Sequence, residues 1–191
     1  MSGKQNPWQR KSRTRAYENP WIGVDHDEVI TPGGSPGIYG VVRFKNIAVA
    51  AVPLDAAGNT VLVGQFRYAL DRYSWEVPEG GCPQGEETSK CALRELKEET
   101  GLTAKHLTKL VDLDLSNSVT DEVGVAYLAT ELTAGEAEPE DTEDLALRTL
   151  PFSDAVRMAL DGRITDALSI VALLAADAYL RDNPAFKPRI R

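Results

Sequence analysis

The sequence predicts an α/β layer structure with a mixed sheet. Three observations lead there: strand-like runs outnumber helical ones, the two types interleave along the chain, and several strand connections are too short for a sheet paired in parallel throughout. Residues 1–15 are basic, lack an apolar core and read as a flexible tail. NPWIGVDHDEVITPGGSPGIYGVVRF then gives short strand-like pieces broken by Pro and Gly. NIAVAAVPLD, the turn AAGN and TVLVGQFRYAL read as strand, turn and strand. YSWEVPEGG is a short strand ending at Pro78 and the glycines. Glu87 to Thr100 reads as a helix, with Ala92, Leu93 and Leu96 as its apolar stripe and Gly101 as its C-terminal stop. HLTKLVDLDLS and EVGVAYLATEL are two further strands, with SNSVTD between them. TAGEAEPEDTED is an acidic loop and LALRTLP a final strand. FSDAVRMALDG and TDALSIVALLAADAYLRD are closing helices, each starting at a Ser or Thr with Asp nearby, an N-cap signal. The second is apolar round much of its circumference, so it is expected to pack on the core or on a second subunit. The expected domains are a tail over 1–15, an N-terminal strand region over 16–45, the main domain over 46–182 and a C-terminal tail over 183–191.

Composition removes several functions. The 191 residues suit one domain with a small extra lobe, and 42% hydrophobic with 26% charged residues is ordinary for a soluble protein. No apolar run approaches a membrane span, and the N-terminus lacks the apolar core of a secretory leader. Cys82 and Cys91 form no CxxC pair, and His26 and His106 stand alone. Neither a zinc site nor a disulfide framework is expected, and the default compartment is a reducing cytoplasm. The net charge of −8 argues against general nucleic-acid binding. An anionic substrate stays open, because a bound divalent cation reverses the local sign of an acidic pocket.

The helix breaks two local rules. Glu95, Glu98 and Glu99 are three and four residues apart and share one face. Like charges at that spacing repel by roughly 0.2–0.5 kcal/mol per pair. Acidic groups in a last turn also oppose the negative end of the helix dipole, by about 0.3–1 kcal/mol each. Broken local rules often mark functional sites, and here something positive is expected.

Gly80, Glu86, Arg94, Glu95, Leu96, Glu98, Glu99, Gly101 and Leu102 stand at the fixed positions of the Nudix box, which this stretch resembles. The resemblance implies a loop–helix–loop that binds Mg2+, or Mn2+, through helix glutamates, and hard cations of this kind prefer oxygen ligands. Carried over, it makes Glu95 and Glu99 metal ligands, Glu98 a further ligand or the base, and the Glu79 carbonyl another ligand. Glu86 and Arg94 become an ion pair bracing the loop, while Gly80 and Gly81 let the backbone turn tightly.

The likeness extends over residues 16–180. TVLVGQFRYALDRYSWEVPEGG, YENPWIGVDHDEV and TDEVGVAYLA resemble segments of ADP-ribose pyrophosphatases and related nucleoside-diphosphate-sugar hydrolases. This implies an α/β/α sandwich with a mixed central sheet, and a homodimer exchanging its N-terminal strands. Arg67 becomes a contact to diphosphate or ribose, with Arg43 a second candidate; the bland alternative for Arg67 is a solubilising strand-edge charge. Trp21 and Tyr39 are candidates to stack on a base or to make packing or dimer contacts. Glu76 accepts from base or ribose, or caps a strand end. A loop glutamate after the box completes the catalytic site in the resembled enzymes. Counting back from LALRTLP, Glu143 fits first and Glu140 second. One departure concerns the substrate: many ADP-ribose pyrophosphatases have a proline in an SPG-like turn where this chain has Asn117 in LSNS. The expected reaction is Mg2+-dependent hydrolysis of ADP-ribose, or a related nucleoside-diphosphate sugar, to a nucleoside monophosphate and a sugar phosphate. The alternatives are a housecleaning hydrolase of oxidised nucleotides and, from another class, a sensor that binds a nucleotide sugar without turnover.

Overall fold

The computed structural model describes residues 5–138 and 144–184. The chain divides into two compact units: residues up to Asn46 together with Asp114–Glu122, and Ile47–Leu113 with Val123 onward.

The first unit is built on three antiparallel strands, β1 (Gln9–Glu18), β2 (Ile22–Ile30) and β3 (Pro36–Phe44), in that order. Charge pairing sets the register. Arg13 lies opposite Asp27 and Arg15 opposite Asp25. Arg13 grips Asp27 with two hydrogen bonds, Nε to Oδ1 and Nη2 to Oδ2, both 2.7 Å. Asp25, only 2% exposed, accepts from Arg15 Nε at 2.6 Å and from Arg43 Nε at 3.1 Å. The hydrogen bond from Arg15 holds the Asp25 carboxyl below its ordinary range; burial opposes this, and Arg43 adds to it. The tail reading of residues 1–15 is therefore corrected for residues 9–15, which form most of β1. Their basic residues read as a solvated run because the matching carboxylates lie ten or more residues away on β2. Residues 1–4 lie outside the described residues. The segment Asp114–Glu122 joins this unit through Asp121, whose carboxylate accepts the Phe44 N–H at 2.9 Å and Arg43 Nη1 at 3.0 Å.

The second unit carries β4 (Asn46–Pro53), β5 (Asn59–Arg67), β6 (Arg72–Glu76), β7 (Glu79–Pro83), α1 (Thr88–Thr100), β8 (Leu102–Asp114), β9 (Val123–Ala134), β10 (Ala146–Pro151), α2 (Phe152–Leu160) and α3 (Ala167–Asp182). One sheet runs β7-β4-β9-β8 and another β10-β5-β6. β4 and β9 pair in parallel, whereas β5 pairs antiparallel with β6 and β10, so both pairing modes occur. The turn into β5 has a clear cause: the Asp55 carboxylate accepts the N–H groups of Ala57 and Asn59, both at 2.8 Å, and Gly58 adopts φ 87°.

β4 is buried on both faces, as a parallel strand between helical layers should be. Val49 and Ala51, with Val125, Tyr127 and Ala129 of β9, pack against Cys91, Ala92 and Leu96 of α1. By strand alternation Gly124 faces the other way, where a Cβ on it would sit 3.4 Å from Leu168 of α3. Helices thus cover both sides of this sheet, giving the expected α/β/α layering. α1 ends as foreseen: Gly101 adopts φ 73° and its N–H reaches the Lys97 carbonyl at 2.8 Å.

Four local expectations are corrected. YSWEVPEGG is not one strand: β6 and β7 belong to different sheets, and Pro78, which has no N–H to give a ladder, stands at the switch. The strand after α1 starts at Leu102 rather than His106. α2 starts directly after Pro151 without a side-chain cap, whereas Asp166 does cap α3, accepting the Ser169 N–H at 2.7 Å. Cys82 of β7 and Cys91 of α1, both buried, are joined as a disulfide with Cα atoms 5.4 Å apart. They lie nine positions apart in sequence, and the turn between β7 and α1 folds one back on the other.

Candidate active site

The site is assembled where β7 meets α1. The turn at Pro78 delivers Glu79 and Gly80 to the face of α1 that carries Glu95, Glu98 and Glu99. Glu99 is 3% exposed, and its Oε2 accepts the Glu79 N–H at 3.0 Å. Gly80 lies against the Glu95 carboxylate so closely that a Cβ would sit 2.5 Å from Glu95 Oε1 and nearer still to its other carboxyl atoms. The glycine is thus required by close approach, and the space a side chain would occupy holds a carboxylate.

Arg94 organises the outer edge. Its Nη2 meets Glu95 Oε1 at 2.8 Å and the Gly81 carbonyl at 3.0 Å, and its Nη1 meets Glu98 Oε2 at 2.7 Å. Burial works against the guanidinium charge, but Glu95 and Glu98 outweigh it and raise the Arg94 pKa. This corrects the expected pair with Glu86. Glu98 is one helical turn from Arg94 and Glu95 its neighbour, so both are within local reach, whereas Glu86 lies before the helix.

The opposite side of Glu79 opens into a cavity of about 620 Å³ lined by residues including Arg67, Arg72, Ser74, Glu76 and Asp166. Arg67 pairs closely with Glu76 and reaches Glu79 Oε1 at 3.2 Å. Burial disfavours its charge, yet Glu76, with Glu79 behind it, holds its pKa above the ordinary guanidinium value. Carboxylate oxygens of Glu76, Glu79 and Asp166 lie within 4.8 Å of one another. Burial first, then the charges of Asp166 and Glu76, push the Glu79 carboxyl well above its usual range, with Arg67 opposing. Ser169 Oγ donates to Glu79 Oε2 at 3.2 Å.

The sequence-derived candidates therefore fall into separate groups. Glu79, Glu95, Glu98 and Glu99 come together at the β7–α1 junction; Arg67 and Glu76 line the adjoining cavity. Arg43, Trp21 and Tyr39 lie in the N-terminal unit, where Arg43 is held by Asp25 and Asp121, Trp21 is 67% exposed, and Tyr39 bonds the Ser118 carbonyl and meets Trp8 edge-on at 5.3 Å. Glu140 and Glu143 lie outside the described residues. Asp166 and Ser169 were missed as site residues. Sequence showed them only as the start of a helix some 90 residues downstream, with no local spacing to tie them to Glu79.

Glu95, Glu98 and Glu99 offer carboxylate oxygens, the donor type a hard divalent cation prefers, one seated in the space left by Gly80 and another buried against the turn. Among the described residues, three carboxylates lie close enough to share one ion only at Glu76, Glu79 and Asp166.

The chain is similar to several known proteins. The chain is 38% identical over 156 residues to the ADP-ribose pyrophosphatase of Mycobacterium tuberculosis, covering 80% of this chain and 74% of that one. It is 34% identical to the ADP-ribose pyrophosphatase of Bacillus subtilis, over 85% and 88% of the two chains. It is also 30% identical to the methanol dehydrogenase activator of Bacillus methanolicus, over 84% and 85%. A solved structure described as an ADP compounds hydrolase superposes with a TM-score of 0.84 at 21% identity, covering 95% of this chain and 98% of that one, and supports the fold. Residues 8–42 match the nucleoside diphosphate sugar hydrolase N-terminal domain. Residues 44–171 match the NUDIX domain, and the chain belongs to the Nudix family.

Proposed function

We propose that this protein hydrolyses the diphosphate bond of ADP-ribose, or of a closely related nucleoside-diphosphate sugar, to a nucleoside monophosphate and a sugar phosphate. The observation that carries the reading is a box with its carboxylates gathered at the β7–α1 junction, on a chain whose first strands match the N-terminal domain of nucleoside diphosphate sugar hydrolases. Relatives named ADP-ribose pyrophosphatase support the choice of substrate.

Glu95, Glu98, Glu99 and the Glu79 carbonyl are the groups that would hold Mg2+ or Mn2+. When bound, such ions neutralise diphosphate charge and acidify the attacking water. The chain does the rest. Gly80 gives Glu95 room, the Glu79 N–H fixes Glu99, and Arg94 restrains Glu95 and Glu98. A carboxylate takes the proton from water. Glu143 is the first choice, then Glu98, then Glu140; Glu98 already has one oxygen engaged by Arg94. Arg67 stands in the cavity beside Glu79 as the cation for a substrate phosphate or sugar. The same reading includes a homodimer, supported by the exposure of Trp21 and Ile38 in one unit and of Phe66 and Tyr68 in the other. Trp21 and Tyr39 would then be substrate contacts, with the N-terminal strands exchanged.

The test is a panel of ADP-ribose, ADP-glucose, GDP-mannose and oxidised nucleoside diphosphates, assayed with Mg2+ and the products separated. ADP-ribose should be consumed fastest and give AMP and ribose 5-phosphate. Preference for an oxidised nucleotide would favour housecleaning, and binding without turnover would favour a sensor.

A further inference from the structure

We propose that Ser169 of α3 is a positioning residue for the metal-binding turn, acting on Val77 and Glu79 and through Glu79 on Glu99. The proposal rests on the reading that the box carboxylates hold the cation. Ser169 is fully buried, and its hydroxyl does two things at once. It accepts the Val77 N–H at 3.0 Å and donates to Glu79 Oε2 at 3.2 Å. It therefore grips the turn on both sides of Pro78, whose own carbonyl is taken by the Ala51 N–H at 2.9 Å. Glu79 passes the constraint on, since its N–H holds Glu99 Oε2 at 3.0 Å. Ser169 is itself fixed, because its N–H donates to the Asp166 carboxylate at 2.7 Å.

The sequence α3, Ser169, Glu79, Glu99 thus runs from the helix on one side of the sheet to a box carboxylate on the other. A hydroxyl is suited to the place because it both accepts and donates. Alanine would leave the N–H of Val77, a fully buried residue, without that acceptor. Among the described residues it would also leave the Glu79 carboxylate with Arg67 as its remaining hydrogen-bond donor, facing Glu76 and Asp166 within 4.8 Å. The turn that carries Glu79 would then lose its fixed relation to Glu99.

The experiment is calorimetric titration with Mn2+ alone of the wild type and of Ser169→Ala, Ser169→Thr and Glu99→Gln, each checked for folding by circular dichroism. Loss of an outer partner of a metal site typically weakens metal binding about 10–100-fold, and this is expected for Ser169→Ala. Ser169→Thr keeps the hydroxyl and should bind Mn2+ as the wild type does. In turnover, Ser169→Ala should require more Mg2+ for half-maximal rate, with the substrate KM at saturating Mg2+ nearly unchanged. If the alanine protein does not fold, Ser169→Cys, of similar size but with weaker hydrogen bonds, should show the same weakening in part. A folded Ser169→Ala or Ser169→Cys protein binding Mn2+ like the wild type, while Glu99→Gln does not, overturns the positioning role. A threonine variant as weak as alanine does so too. If Glu99→Gln also binds like the wild type, the metal reading itself fails.

Discussion

Replacing Gly80 with alanine should separate activity from stability. The new methyl group would sit 2.5 Å from Glu95 Oε1, and ordinary contact begins at 3.4 Å. The carboxylate must therefore retreat by about 0.9 Å, and the nearer carboxyl atoms by more. The obstruction is the end of a flexible side chain rather than backbone, so the fold can yield. A Gly→Ala change that the backbone accepts also stabilises by about 0.4–1 kcal/mol through the unfolded chain. Misplacement by about 1 Å, in contrast, can lower turnover on the order of 10²-fold. The assay is Mg2+-dependent release of AMP from ADP-ribose, beside a thermal melt. A melting midpoint near that of the wild type with kcat reduced about a hundredfold is expected. Wild-type turnover in Gly80→Ala would refute the claim that the glycine makes room for a working ligand.

Three further outcomes follow from other parts of the chain. If the base is Glu143, Glu143→Gln should lower kcat by on the order of 10²–10⁴-fold while Glu140→Gln stays near normal. A crippled Glu140→Gln beside a normal Glu143→Gln would reverse the two, and activity lost in Glu98→Gln alone would place the base on α1. Asp25→Asn should lower the melting midpoint at pH 7. Pairing with Arg15 holds the Asp25 carboxyl below its ordinary range, so its stabilisation is present above the ordinary carboxylate pKa and is lost as pH falls through the lower folded value; the gap to the wild type should close in that range, and an unchanged gap there would contradict the arginine pairing. Reducing the Cys82–Cys91 link, whose ends lie nine positions apart, should remove about 2.6 kcal/mol on loop-closure grounds. For a chain of 191 residues that lowers the midpoint by about 5–10 °C, and equal midpoints with alkylation showing full reduction would contradict the link.

How much was legible depended on how far apart the partners lie in sequence. The box helix could be read because its stripe, its stop at Gly101 and its misplaced carboxylates all lie within fourteen residues. The strand–turn–strand around Asp55 was readable for the same reason. β1 was not, because Arg13 and Arg15 acquire meaning only opposite Asp27 and Asp25 of the next strand. The Arg94 partner was misassigned because the family motif puts Glu86 in the same pattern, while a helix offers Glu98 one turn away. Ser169 and Asp166 could not be placed at all: a buried hydroxyl on a late helix gives no sign of the turn it holds.

In the function proposed above, the α1 carboxylates carry metal-dependent hydrolysis of a diphosphate. It is tested most directly by incubating wild type and Glu99→Gln with ADP-ribose, with Mg2+ and with a chelator, and quantifying AMP and ribose 5-phosphate. Equimolar products are expected from the wild type with Mg2+, none with chelator, and turnover by Glu99→Gln lowered by at least about 10²-fold, the scale of a lost charge-stabilising group. Equal turnover by the two proteins, or hydrolysis that persists without a divalent cation, would contradict it.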